Sequence, residues 1–377
     1  AMKHSIATRW ALAGALLLGL PAAAAAQVIG PGFIPNDNTA YGTTSGEFLL
    51  LGGGARGTAL GASYAALAGD VSALYYNPAG IAQMNRPQAE VGSYNYVAGT
   101  KYTWGGIAFP VSGGVRSFGL QIGTFGFRDQ PVYTVDQPDG TGSLYNVSET
   151  FAAMTYAQNF SDRFAAGLTA KFVSDQLGDA SGSAFAVDFG TNFHAMLNNK
   201  PIRLAFTVTN LGTGMSYSGA ALNTNAVRDQ ATPDDPIPAA GQPAELRSKA
   251  FPLPTAFRVA LGYDLLSQPN NRLSLITEFD QPNDNAAGFG VGAEWAMPKL
   301  GSSPFGVALR GSYTYAAANT IKAAMPTAIS LDESLQGLAG GGGLSYASGD
   351  FNLGFDYAFK FMGVLGFTHF FSFTVGW

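Results

Sequence analysis

Segment after segment of this chain alternates bulky with small residues, and the ionised groups fall on the small side. Over 305–315 the large set is Phe305, Val307, Leu309, Tyr313 and Tyr315, interleaved with Gly306, Ala308, Arg310, Ser312 and Thr314. Phe257, Val259, Leu261, Tyr263 and Leu265 alternate in the same way with Arg258, Ala260, Gly262 and Asp264. Phe351, Leu353, Phe355, Tyr357 and Phe359 alternate with Asn352, Gly354, Asp356 and Ala358, and Phe289, Val291 and Trp295 with Gly290, Gly292 and Glu294. A period of two puts the sets on opposite faces of a strand. A soluble sandwich would turn the bulky face inward, whereas a membrane barrel turns it to acyl chains and encloses the charges.

The connections decide between them. About fourteen alternating runs follow the amino-terminal region, an even number of the kind bacterial barrels use. Every second connection is short, at 112–115, 161–162, 197–200, 267–271, 298–303 and 348–350; these read as periplasmic turns. The intervening set holds the long ones, near 128–148, 211–253 and 316–334, with shorter members near Val97, Asp175 and Asp280; these read as outside loops. Short turns on one rim and long loops on the other are the pattern of an up-and-down membrane barrel, while a Greek-key sandwich scatters long connections over both ends.

The ends agree. Residues 1–26 read as a signal peptide, with Lys3 and Arg9 at its start, an apolar run over 10–20 and Ala24, Ala25 and Ala26 before Gln27. That run is about half of a membrane-spanning helix, and no later stretch is a candidate either. Yet 47% of the chain is hydrophobic and only 12% charged, against roughly 25% charged in a soluble domain. The closed barrel is the remaining membrane solution, which predicts the outer membrane of a diderm bacterium. Phe371, Phe373, Val375 and Trp377 form the lipid face of a final strand and the expected signal to the barrel-assembly machinery. The 49 glycines suit crowded inward positions. Without cysteine there is no disulfide framework or thiolate metal site; no metal or cofactor is expected. The net charge of −5 falls to about −7 once Lys3 and Arg9 leave, which does not favour nucleic acid.

Residues 27–86 do not alternate, and 48–84 are too apolar for a free tail, so they are expected inside the barrel, 87–377, as a plug. Asp70 and Asn77 are candidate helix caps, with Pro78 at a first helical position; two short helical turns broken at Asn77 are predicted. Here the chain resembles a known group. Gly54, Ala55 and Arg56, then Gly61 and Ala62, Asp70, Ser72 and Ala73, and Tyr76, Asn77, Pro78, Ala79 and Gly80 look like the hatch signature of the long-chain fatty acid transporter (FadL) outer-membrane superfamily, with the nearest likeness to the PorV/PorQ proteins. Val187, Asp188, Phe189 and Gly190 with Asn210, Leu211 and Gly212, Pro254 and Thr255 with Arg258 and Gly262, Asp356 and Tyr357, and Leu365 and Gly366 with Thr368 and His369 extend it along the mature chain. The resemblance implies a fourteen-stranded barrel with an amino-terminal plug. It also implies one of two roles: PorV-like binding of exported proteins or type IX secretion partners through outside loops, or FadL-like uptake of fatty acids or other hydrophobic molecules.

Gly52, Gly54 and Gly57 have dinucleotide-fingerprint spacing but lack the βαβ context, so they read as close-packed plug backbone. A charge in an apolar plug needs a partner; Arg56 is expected either to meet a luminal carboxylate such as Asp188, Glu278, Glu294 or Asp356, latching the plug, or to remain solvated. Lys171, Asp188, Arg258, Asp264, Glu278, Glu294, Arg310 and Asp356 are expected to be luminal. His194, with Asp188 and Asn192, and His369, near Ser372, permit a hydrolase to be imagined, but no supporting motif accompanies them. No catalytic residue is assigned and a non-enzymatic role is expected. The strand interiors read as small and polar, which disfavours a greasy path except along Phe48–Leu51 (48–51), Leu74, Tyr75, Tyr76 and Ile81 of the plug or Tyr133, Tyr145 and Tyr217 of the loops; partner binding is the preferred reading and hydrophobic uptake the alternative.

Overall fold

The computed structural model describes residues 42–226, 241–316 and 337–377; the expected signal peptide lies outside them. Fourteen antiparallel strands form the barrel: β1 (Gln88–Asn95), β2 (Lys101–Val111), β3 (Arg116–Pro131), β4 (Leu144–Ser161), β5 (Phe164–Leu177), β6 (Ala180–Leu197), β7 (Lys200–Gly212), β8 (Ala256–Gln268), β9 (Asn271–Pro282), β10 (Gly288–Met297), β11 (Phe305–Ala316), β12 (Leu338–Ser348), β13 (Phe351–Phe361) and β14 (Phe367–Gly376). Each pairs with its neighbours in sequence, and β1 closes on β14 from Gln88↔Gly376 to Ser93↔Phe371. Closure satisfies every strand edge within the sheet, as hydrocarbon requires. The expected all-β antiparallel barrel is the fold observed.

Burial alternates along the strands. On β3, Ser117 and Gln121 are buried while Phe118, Leu120 and Ile122 are exposed, and on β5 Thr169 and Lys171 are buried between Leu168 and Phe172. The exposed set continues around the barrel through Phe189, Phe206, Phe257, Leu309, Phe355, Phe371 and Phe373. Leaving such side chains in water forgoes roughly 1.5–3 kcal/mol each, so this surface fits acyl chains. No described helix is long and apolar enough to cross a membrane.

One rim carries the short connections, at 112–115, 162–163, 198–199, 269–270, 298–304 and 349–350. At 198–199 the turn is two residues, Asn198 and Asn199, both at positive φ (53° and 58°), the handedness that suits a tight hairpin. The other rim carries 96–100, 132–143, 178–179, 213–255, 283–287 and 362–366. Two expected loop boundaries move. The segment read as a loop over 128–148 shortens to 132–143, because β3 and β4 continue pairing past a bulge between Phe127 and Gln130 to Pro131↔Leu144; polar Arg128, Asp129 and Gln130 extend a ribbon beyond the apolar band. The segment 211–253 has ordered ends. Met215 bridges Phe251, Tyr217–Gly219 adds to β6, and Asn223–Ala226 pairs with Gln242–Glu245. Residues 227–240 and most of 316–334 lie outside the described residues.

Residues 42–87 fill the barrel. They form single-turn helices α1 (Ala55–Ala59) and α2 (Ala73–Tyr76) and three 3-10 turns, Glu47–Leu50, Gly61–Ser63 and Pro78–Gln83. The chain breaks at Asn77, whose side chain accepts the Ala79 N–H with Pro78 at the first helical position. Asp70 does not cap a helix directly: α2 starts after Ser72, and the Asp70 carboxylate instead accepts the Ser72 N–H at 3.0 Å and its hydroxyl at 2.5 Å. The carboxylate is turned toward Arg56, so it shapes the approach to α2.

The outward assignment predicts that Leu168→Arg, on the lipid face of β5, destabilises the barrel by about 2–4 kcal/mol if it lies near the bilayer midplane. Denaturant unfolding in lipid vesicles checks this; stability equal to that of the parent would place Leu168 away from acyl chains.

Candidate functional site

The plug is seated by small contacts that admit no larger residue. Asn77 is fully buried; its Nδ2 donates to Ala65 O at 2.9 Å and to Thr191 O at 3.2 Å. Behind it stand Gly167 of β5 and Gly190 of β6, where a Cβ would collide with Pro78 and with the Asn77 side chain. The sequence words around Asn77 and around Gly190 are thus two sides of one contact. Gly80 lies equally close to Ala68 O and Ala73, with Ala79 fully buried beside it. Gly54, at φ 79°, leaves room for the Glu90 carboxyl group, and Gly61, at φ 58°, for the hydroxyls of Ser312 and Thr314. Strand side chains bind plug backbone directly: Ser372 Oγ accepts from Ala55 N at 3.1 Å, Glu278 Oε2 accepts from Ala65 N at 3.0 Å, and Ser312 Oγ donates to Ala59 O at 3.0 Å.

Arg56 is the plug's charged anchor. Its Nε and Nη2 each donate to Glu294 at 2.8 Å, a bidentate pair, and Nη1 donates to Asp70 Oδ2 at 2.5 Å. Glu294, 1% exposed, also accepts from Arg310 Nε at 2.8 Å and Arg272 Nη2 at 2.7 Å, and Arg310 pairs with Asp356. Tyr64 donates to Asp70 Oδ1 at 3.0 Å and lies under the Arg56 guanidinium. Burial works against an ionised Asp70, but Arg56 and the Ser72 and Tyr64 hydroxyls reverse this and hold its carboxyl below the ordinary value.

Of the four carboxylates offered to Arg56 by the sequence, Glu294 is its partner. Asp188 meets Lys171 at 3.0 Å and accepts from Asn210 N at 2.7 Å; Glu278 faces Arg258, which also meets Asp280 at 3.1 Å; Asp264 takes Arg203 at 2.7 Å and Ser274. All eight charged positions singled out in the strands lie on the luminal face. Arg203, Arg272, Asp280, Glu90 and Lys360 were missed, although the same alternation marks them: Arg203 stands between Ile202 and Leu204.

The wall formed by β14 and β1–β4 corrects one expectation. Its interior is not small and polar but aromatic, with Tyr94, Tyr102, Trp104, Phe125, Phe151 and Phe370 turned inward. Tyr94 lies 3.8 Å from Phe370 and 5.5 Å from Tyr102 between ring centroids. The plug's Phe48, Leu49, Leu74 and Ile81 join this core, Phe48 at 6.0 Å from Phe151, as do Tyr75, Tyr76 and the loop ends Met215, Tyr217 and Leu253. The strands that escaped notice carry their aromatic residues on the face opposite an equally apolar exterior, so bulk alone did not distinguish the sides. Tyr133 and Tyr145 are exposed.

Tyr75 and Tyr76 hydroxyls accept from Gly52 N at 2.9 Å and Gly53 N at 3.3 Å, so the glycine run is occupied by its own fold. His369 faces outward and contacts Tyr357 Oη through Nδ1 at 2.8 Å, while Ser372 faces the lumen; strand parity separates the imagined pair. His194 is luminal, near the short-turn rim. No group of three or more metal-type ligands is found among the described residues.

A closed barrel with an apolar exterior, enclosed charges and an interior plug defines an outer-membrane β-barrel protein of the diderm, Gram-negative type. No family model and no curated protein matches the chain. Among solved structures it is similar to the TodX monoaromatic hydrocarbon channel deltaS2 mutant, with TM-score 0.51 and 10% identity over 87% of this chain and 98% of that one. It is also similar to the CymD monoaromatic hydrocarbon channel, with TM-score 0.50 and 11% identity over 87% and 97%. The Pseudomonas putida toluene transporter TodX matches at TM-score 0.49 and 11% identity over 86% and 96%. At these identities the likeness is one of fold.

Two outcomes follow from the Arg56 network. Glu294→Gln leaves Arg56, Arg272 and Arg310 short of charge and should cost about 3–5 kcal/mol, read as a lower unfolding midpoint with greater protease access to the plug; an unchanged midpoint and plug would refute the latch. Because the folded Asp70 pKa is depressed, its contribution is complete above the unfolded value near 3.8 and is lost as pH falls through the folded one. Plug protection should therefore weaken in strong acid, and less so in Asp70→Asn, measured by hydrogen exchange.

Proposed function

We propose that the protein admits hydrophobic molecules across the outer membrane along the aromatic side of its plugged lumen. The observation that carries this reading is the contiguous apolar cluster that packs Tyr94, Phe125 and Phe370 near the long-loop rim with Phe48, Leu74 and Ile81 of the plug. A passing molecule gains about 0.8 kcal/mol for each methylene it buries, and the route offers that gain without crossing the charged wall. The FadL-like hatch resemblance and the fold shared with the two monoaromatic hydrocarbon channels support it. The Ser45 hydroxyl and N–H bonds to the loop at Phe251 and Pro252 tie the plug's entry to the mouth. Cells producing the protein should accumulate a labelled apolar probe such as naphthalene faster than cells lacking it, and Phe48→Asp should slow this severalfold with the barrel still heat-modifiable on gels. Equal accumulation with and without the protein would sink the proposal.

The PorV-like reading, binding of exported proteins or type IX secretion partners, is favoured by one feature: the exposed ribbon of Asn223–Ala226 and Gln242–Glu245 on the long-loop rim. Its test is removal of 223–245, which spares the buried Met215 and Leu253. Loss of co-purifying exported proteins from an intact barrel would support partner binding; unchanged co-purification would discard it.

A further inference from the structure

The luminal cations Arg56, Lys171, Arg203, Arg258, Arg272 and Arg310 each meet a carboxylate. Lys360 does not. It stands on β13 with the luminal parity of Asp356 and Ala358, next to the last residue before the 362–366 turn, and is half-buried. It has no ion pair or hydrogen bond among the described residues. Directly across the β13–β14 pair is Thr368, 4% exposed, whose hydroxyl likewise makes no hydrogen bond among them. Next along the same face, Ala358 pairs with Phe370, whose ring contacts Tyr94. Beyond Tyr94 lies Tyr102, 1% exposed, with its hydroxyl buried and without a partner among the described residues.

These groups supply donors and one positive charge, and no carboxylate among the described residues answers them. Buried polar groups are ordinarily satisfied, and among the described residues a half-buried ammonium without a counter-ion is the exception to the paired cations named above. A single ammonium is a point charge and lacks the fork that favours phosphate, so it matches a monoanion. The neighbouring wall is made of rings, whose faces and edges pack well against another ring. We propose that the luminal face of β13, β14, β1 and β2 below the 362–366 turn binds a ring-bearing monocarboxylate, with Lys360 and Thr368 taking the carboxylate and the ring packing against Phe370, Tyr94 and Tyr102. The proposal rests on the uptake reading and gives its ligand a charge that a neutral hydrocarbon lacks.

The test is calorimetry on the full protein in lipid nanodiscs, with empty nanodiscs as reference and 3-phenylpropionate, 3-phenylpropanol and 3-cyclohexylpropionate as probes. The acid should bind about tenfold more tightly than the alcohol, as a charge-assisted contact would give, and no less tightly than its more hydrophobic saturated analogue. Lys360→Gln should erase the preference for acid over alcohol while leaving alcohol binding and heat-modifiability intact, and Lys360→Arg should keep it. Equal binding of acid and alcohol, or a preference that survives Lys360→Gln, overturns the carboxylate site while leaving uptake standing. Tighter binding of the saturated analogue overturns the ring assignment. Binding of none of the three overturns both this site and the uptake reading.

Discussion

Three guanidinium groups converge on the carboxylate of Glu294, and the plug's position depends on that meeting. Arg272 and Arg310 come from the barrel wall and Arg56 from the plug, so one buried anion ties the plug to the wall. A buried carboxylate is costly unless paired and hydrogen-bonded; here both oxygens are taken. Asp70 and Asp356 complete the charge balance by holding the far sides of Arg56 and Arg310. The plug is located by charge on this side before packing adds to it.

The opposite side is built from different forces. Between β14 and β4 the plug meets rings and methylenes; there β3 and β4 reach its backbone through neutral amide bonds, Gln121 Nε2 to Leu74 O at 2.6 Å and Asn159 Nδ2 to Ala82 O at 2.8 Å, while Tyr75 bonds Leu49 O and Gly52 N within the plug itself. Gly167 and Gly190 bring the Asn77 turn against the wall between the two regions. The interior therefore has a rigid charged half and a greasy half, and α1 and α2 divide between them: Arg56 lies on the former and Leu74, Tyr75 and Tyr76 on the latter.

Much of this was legible in the chain, for a physical reason. Hydrocarbon accepts no unpaired charge and no open sheet edge, so parity of bulk, confinement of charge and parity of loop length all report the same fold. Arg310 between Leu309 and Gly311, or Asp356 between Phe355 and Tyr357, could point only inward. On β2 the same rule was silent, because no charge shares the face of Trp104; on β1 and β4 only Glu90 and Glu149 mark the face of Tyr94 and Phe151, and bulk on both faces hid them. The choice of Glu294 over Asp188, Glu278 and Asp356 as the Arg56 partner was not legible either, because it depends on how far the plug reaches across the lumen. Asp70, met as a helix cap, turns out to serve the ion network, since its backbone neighbourhood and its charge favour different roles and the low-dielectric site favours the charge.

The two halves differ in how readily they yield. Separating Arg56 from Glu294 exposes an unpaired buried charge, a cost of about 3–5 kcal/mol, whereas each neutral amide-to-backbone bond from β3 and β4 contributes roughly 0.5–1.5 kcal/mol net. An apolar molecule lying against Phe370 and Tyr94 replaces part of the contact surface that it displaces, so its entry leaves few groups unsatisfied. The charged half offers no such exchange, because nothing apolar can replace a carboxylate. The proposed passage and the retention of the plug are then compatible: the guanidinium side fixes it to β10 and β11, and the side facing β1–β4 is where local rearrangement costs least.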